Sequence, residues 1–129
     1  MAVTHSTAAR NAATDAVTAL IGASGKLVFR LSGTIGSPGT AVATLPLSAT
    51  AFGASSSGTA TANAITSDTN ATGNASAVAN GTLETSGGTV VIHFAVAASA
   101  SDVNMSNGLT VASGDTVSCS ALTYSGLSA

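Results

Sequence analysis

The chain has 129 residues, three basic and five acidic side chains and a net charge of −2, a length that accommodates one domain. Three scattered cations (Arg10, Lys26 and Arg30) do not supply the phosphate-neutralising charge that nucleic-acid binding requires, and no basic amphipathic stretch suits a membrane surface. Apolar residues reach 45% against 6% charged, which excludes the low-hydrophobicity, high-charge composition of a disordered chain.

Ala, Ser, Thr and Gly together make up roughly three fifths of the residues, far above ordinary usage. Much of the apolar content is therefore alanine, which buries little area, and a core built from the few large side chains is thin. Stability is expected to be completed by association with copies of the chain or with another protein. The sparse charge leaves little to oppose such association. Cys119 is the single cysteine, so no internal disulfide forms. Met1-Ala2-Val3-Thr4-His5 lacks a basic segment followed by an apolar one, and no apolar run reaches membrane-spanning length. The expectation is a chain made and folded in a cytoplasm, not secreted and not in a membrane.

Thr4 to Ile21 reads as the one convincing helix, capped by Ser6 or Thr4. Ala9, Ala13, Ala16, Val17, Leu20 and Ile21 form an apolar stripe at helical spacing, expected to face the rest of the domain or a neighbour, with Arg10, Asn11, Thr14, Asp15 and Thr18 mostly off it. Gly22 stands where a left-handed C-cap belongs. Lys26 to Ser32 alternates as a half-buried strand, with Leu27, Phe29 and Leu31 inward and Lys26, Val28 and Arg30 outward. A Gly/Pro loop over 33–39 leads to a second strand, Ala41 to Leu47, whose Pro46 belongs on a sheet edge.

Ser48 to Asn80 carries weaker signals. Ala54 to Gly58 is a flexible loop by composition, Thr59 to Ile65 and Ala75 to Leu83 are candidate strands, and Asp68 to Asn74 reads as an exposed loop. Gly87-Gly88 then turns the chain into Thr89 to Ala97, the longest β-branched apolar run. Val90, Ile92, Phe94 and Val96 fall on one face, Val91, His93, Ala95 and Ala97 on the other, and both look buried, as in the central strand of a sheet. Beyond a polar stretch over 99–108, Leu109 to Val111 is a short strand, Ser113-Gly114-Asp115 a turn, and Thr116 to Tyr124 a closing strand. The spacing predicts a mainly β chain: an antiparallel β-sandwich or jelly-roll-like domain over 25–129, preceded by a helix and arm over 1–24.

No reactive constellation emerges, and catalytic, cofactor-binding and metal-ligand residues are all expected to be none. His93 sits mid-strand without partners at ligand spacing and reads as a satisfied, buried or half-buried histidine; His5 is expected to be exposed. Cys119 reads as a small buried hydrophobe. Asp102 to Gly108 departs from a calcium loop, because its glycine falls one place late and Ser113 stands where a bidentate Glu belongs. The sequons at Asn70, Asn74, Asn80 and Asn104 arise easily in a Ser/Thr-rich chain. Thr59-Ala60-Thr61 is a single copy and no ice-binding array. An enzyme is not expected. A carbohydrate-binding or adhesion module is the alternative of another class, weakened by the absence of aromatic platforms.

Three stretches carry a family resemblance. The first is Ala8-Ala9-Arg10-Asn11-Ala12-Ala13-Thr14-Asp15-Ala16 running into Leu20-Ile21-Gly22. The second is Lys26 to Gly33, then a Gly/Pro loop and Ala43-Thr44-Leu45-Pro46-Leu47. The third is Ser101-Asp102-Val103-Asn104-Met105 through Val111-Ala112-Ser113-Gly114-Asp115-Thr116-Val117. Together they resemble a family of small virion structural, head decoration-like proteins of tailed bacteriophages and prophages; the stretch from Ser48 to Asn80 carries none of the likeness. The resemblance implies a capsid decoration or cement protein that binds the outer head surface and stabilises capsomer contacts, with the major capsid protein and copies of itself as partners and the virion as its location. A head–tail connector or tail structural protein of the same virion is the alternative. The helix and the Ser48–Asn80 region are the expected contact surfaces.

Overall fold

A computed structural model describes residues 3–105 and 108–127. The chain is mainly β and sandwich-like, with one helix. Helix α1 spans Thr7–Ala19 and is followed by β1 (Lys26–Arg30), β2 (Gly33–Thr34), β3 (Ser37–Pro38), β4 (Ala41–Pro46), β5 (Thr59–Thr61), β6 (Asn80–Glu84), β7 (Val90–Ala97), β8 (Val103–Asn104) and β9 (Thr123–Ser125). Five of them form one sheet in the order β4-β1-β6-β7-β8; β2–β3 and β5–β9 are separate two-stranded ribbons.

The large β-branched and aromatic side chains of β1, β4 and β7 set the inner face. Leu27, Phe29, Ala43, Leu45, Leu83, Phe94 and Val96 pack there against Leu47, Phe52, Ala60, Ala71, Val78, Val111, Val117 and Leu122. The second group comes from loops more than from strands. Leu109 to Val111 forms no strand, and Thr116 to Tyr124 reduces to β9 plus an isolated bridge between Val117 and Asp68. Small residues let these loops approach the sheet, while backbone bonds such as Val78 N to the Leu109 carbonyl (2.9 Å) and Asn74 N to the Val111 carbonyl (2.8 Å) replace a regular ladder.

The Ser48–Asn80 region is more than a surface loop: Phe52, Ala71 and Val78 are core residues. Its Thr66–Gly73 portion runs along β4, giving Thr66 N to the Pro46 carbonyl (2.9 Å) and Gly73 N to the Val42 carbonyl (3.0 Å), while the Asp68 carboxylate accepts Thr44 N (2.9 Å). Pro46 does lie on an edge strand, and this segment covers that edge.

β7 is not the centre of the sheet; β6 is, and all five of its residues are buried. Asn-Gly-Thr-Leu-Glu looks unlike a central strand by propensity. It fits because Gly81 has no side chain where the Phe94 ring crosses it: a Cβ there would meet that ring at 2.5 Å. β7 is half-buried over most of its length. Its two-face alternation also breaks. Leu83 pairs with Ile92 but Glu84 with Val90, so Val91 is the extra residue of a bulge, and it joins Ile92 in packing against the core. β1 is buried on both sides, Val28 included, in place of the half-buried pattern expected.

Candidate functional site

Helix α1 begins where Ser6, in extended conformation, accepts the Ala9 backbone N–H on its hydroxyl at 3.1 Å. Past the helix, Gly22 takes φ +70°, the conformation a C-cap glycine supplies. Its orientation departs from the one in which the stripe faces the rest of the domain, with Ala13 and Val17 only half-buried. Thr14 and Thr18 are its buried residues, whereas Ala9, Ala12, Ala16, Ala19 and Leu20 face outward, Leu20 with 65% exposure. Of the expected stripe, only Ile21 is fully buried.

Hydrogen bonds explain this orientation. Thr14 Oγ1 donates to the Gly58 carbonyl (2.6 Å) and accepts Gly126 N (3.0 Å). Asn11 Oδ1 accepts Gly58 N (2.8 Å), and Asp15 Oδ1 accepts Ser55 N (2.9 Å). Arg10 donates to the Ser57 carbonyl (2.7 Å) and the Leu127 carbonyl (3.3 Å). One polar face thus satisfies backbone groups of the 55–58 loop and of the chain's 126–127 end. Packing alanines there would strand the buried Gly58 carbonyl, at about 1–3 kcal/mol, and give up the other bonds in exchange for little apolar area.

The other aspartates act the same way: Asp68, Asp102 and Asp115 accept Thr44 N, Ala95 N and Ala112 N at 2.9, 3.0 and 2.9 Å. Asp102 therefore braces β7; the rest of the Asp102–Gly108 stretch includes residues 106 and 107, outside the described residues, as is Ser106 of the Asn104 sequon. Asn80 and Thr82 of another sequon are buried in β6.

The remaining polar cluster lies on the outer face of the five-stranded sheet. Arg30 pairs with the Glu84 carboxylate, and its Nε donates to Thr82 Oγ1 at 3.2 Å. Thr82 donates to Glu84 in turn, and Arg30 Nη1 donates to the Gly39 carbonyl at 2.6 Å. Sequence alternation placed Arg30 outward correctly but gave no sign that Glu84 would be 3% exposed beside it. Two buried side-chain atoms on this face, Asn80 Oδ1 and His93 Nε2, have no partner.

His93 is half-buried and His5 exposed, as expected, but His93 is not the satisfied histidine the sequence suggests, since its buried Nε2 has no partner. Cys119 packs against the core side of the sheet, so the imidazole of His93 and this thiol lie on opposite faces. The thiol donates to the Ala121 carbonyl (3.4 Å), and burial raises its pKa above the ordinary value. It lines a cavity of about 640 Å³ between Phe29 and the 115–123 segment. Among the described residues, no group of three or more His, Cys, Asp or Glu side chains is placed to hold a metal, and no helix is long and apolar enough to cross a membrane. Thr59 and Thr61 pair with Ser125 and Thr123 across the β5–β9 ribbon, with Ala60 buried between them. Comparison with family models, with curated proteins and with solved structures returns no match.

Proposed function

We propose that this chain is a non-enzymatic structural component of a phage virion, a decoration or cement protein that binds the outer head surface and adds contacts across capsomer boundaries. The observation that carries the reading is the orientation of the helix. A helix that buries Thr14 and Thr18, half-buries Arg10 and Asn11 against the 55–58 loop and leaves Ala9, Ala12, Ala16, Ala19 and Leu20 outside presents an uncharged apolar strip beside the exposed Asp15. Alanines let another backbone approach closely, and shallow repeated contact of this kind suits a lattice of identical sites. Support also comes from the resemblance of the helix, β1–β4 and 101–117 stretches to head decoration-like proteins. The major capsid protein and further copies of the chain are the proposed partners, and the virion the proposed location.

The test is the copy number of this chain in gradient-purified particles, by quantitative mass spectrometry. A value comparable to that of the major capsid protein is expected. A handful of copies would move the chain to the neck or tail, and absence from particles would overturn the virion reading.

A further inference from the structure

Between Arg30 and Ala41 the chain leaves the sheet and returns as a strap that closes on itself. Leu31 N donates to the Thr40 carbonyl and Gly39 N to the Ser32 carbonyl, both at 3.1 Å, and β2 pairs with β3 through Gly33–Pro38 and Thr34–Ser37. Its neck needs glycine: a Cβ on Gly33, at φ +113°, would collide with Gly39 N, and one on Gly39 with the Ser32 carbonyl. Residues 32–38 are all exposed, and Ile35 at the tip is 59% exposed. Apolar packing therefore seats only the strap's first residue, Leu31, which packs against the core, and not the part beyond it.

Two sheet side chains reach it. Arg30 Nη1 donates to the Gly39 carbonyl at 2.6 Å, while Asn80 Nδ2 reaches the Gly33 carbonyl only at 3.4 Å. The same guanidinium is fixed from the sheet by Glu84 and Thr82. Against these contacts stands Asn80 Oδ1, buried without a partner in a residue that is 8% exposed. A buried acceptor with no donor opposes the arrangement that buries it, and water would pair it once the strap lifted.

We propose that the 31–40 strap is a latched cover on the outer sheet face, with the Arg30–Glu84 pair as its latch. Its release uncovers Asn80 and the polar patch around Thr82 to solvent or to a partner's hydrogen-bond donors.

Native-state amide exchange resolved by residue tests it. In the wild-type protein, Leu31 and Gly39 exchange through a local opening that depends weakly on added urea, while Val28 and Thr82, opposite each other in the β1–β6 ladder, exchange with the urea dependence of global unfolding. In the Arg30→Met/Glu84→Met double variant, which removes the latch without stranding a charge, Leu31 and Gly39 exchange about tenfold faster or more relative to Val28 and Thr82. Equal urea dependence of all four amides in the wild type overturns the proposal, whatever the variant does. Unchanged relative protection of Leu31 and Gly39 in a folded double variant overturns it as well.

Discussion

Replacing Thr14 by Val keeps the volume of a residue with 0% exposure and removes one hydroxyl. That hydroxyl donates to the Gly58 carbonyl at 2.6 Å and accepts Gly126 N at 3.0 Å. The buried Gly58 carbonyl is left without a partner, and Gly126 N, in a part-buried bond, loses its acceptor. At about 1–3 kcal/mol for the unsatisfied buried carbonyl, with the second lost bond added, Thr14→Val costs about 2–4 kcal/mol. For a chain of this size that is a fall in Tm of roughly 10 °C. The companion variant is Ala16→Lys on the exposed side of the same helix, expected to stay within about 0.5 kcal/mol of wild type. Urea unfolding followed by far-UV circular dichroism and by fluorescence of Tyr124, the single tyrosine, measures both; Tyr124 lies in β9, opposite Ala60 of β5. A helix packed through its alanines would give the opposite ranking, with Thr14→Val harmless and Ala16→Lys disruptive. That ranking would refute the hydrogen-bonded docking.

Two further outcomes follow from the core. Gly81→Ala drives a methyl group into the Phe94 ring and against the Val28 carbonyl at 3.1 Å, costing about 1–3 kcal/mol by the same urea titration, and adding Phe94→Leu recovers part of the loss; an unchanged midpoint would contradict the close crossing of β6 by that ring. Because burial raises the Cys119 pKa above its ordinary value of 9.0, less thiolate is present at neutral pH. Alkylation by iodoacetamide is therefore slower than that of an unstructured thiol, and rises with pH across a range displaced upward from the ordinary one. The folded protein also loses stability as pH climbs through that range, since the unfolded thiol ionises first. Labelling at the rate of a free thiol would show that the side chain is not shielded.

The parts of the fold that could be read from the residues are those where one large side chain decides the outcome. Leu27 and Phe29, Leu45, Phe94 and Val96 point inward as their alternation requires, Pro46 lies on an edge strand, and Ser6 and Gly22 punctuate the helix. What could not be read depends on partners distant in sequence. β6 is central because Gly81 accommodates Phe94 and Glu84 meets Arg30, pairings 13 and 54 residues apart that no local pattern encodes. The bulge at Val91 shifts the face of Val90 and Val91 together, and a strict period of two hides it. The strand expected over 109–111 and most of the one expected over 116–124 give way to loops where local side-chain bonds to the backbone compete with a ladder, as Asp115 does to Ala112 N at 2.9 Å. The polar patch around Arg30 had only one legible half: Arg30 was placed outward, but nothing adjacent in sequence announced Thr82 and Glu84.

The orientation of the helix follows from the same shortage of large side chains that the composition shows. An amphipathic stripe turns inward when the apolar area it buries outweighs the polar groups it abandons. A stripe of alanines buries too little, so Thr14, Asn11 and Arg10, each answering a backbone group of the 55–58 loop or the chain end, decide the face instead. That choice ties charge to the fold while Asp15, Asp102 and Asp115 stay exposed. Arg10, Asp15, Asp68, Asp102 and Asp115 are held against backbone groups of the chain itself, and Arg30 and Glu84 against each other. Side chains that ordinarily discourage association are thereby engaged within the fold, and the helix faces outward with alanines and Leu20. A domain stabilised in this way has a charge-poor, closely approachable helix face of the kind the proposed packing on a capsid requires, and the composition that thins its core is the one that prepares that face.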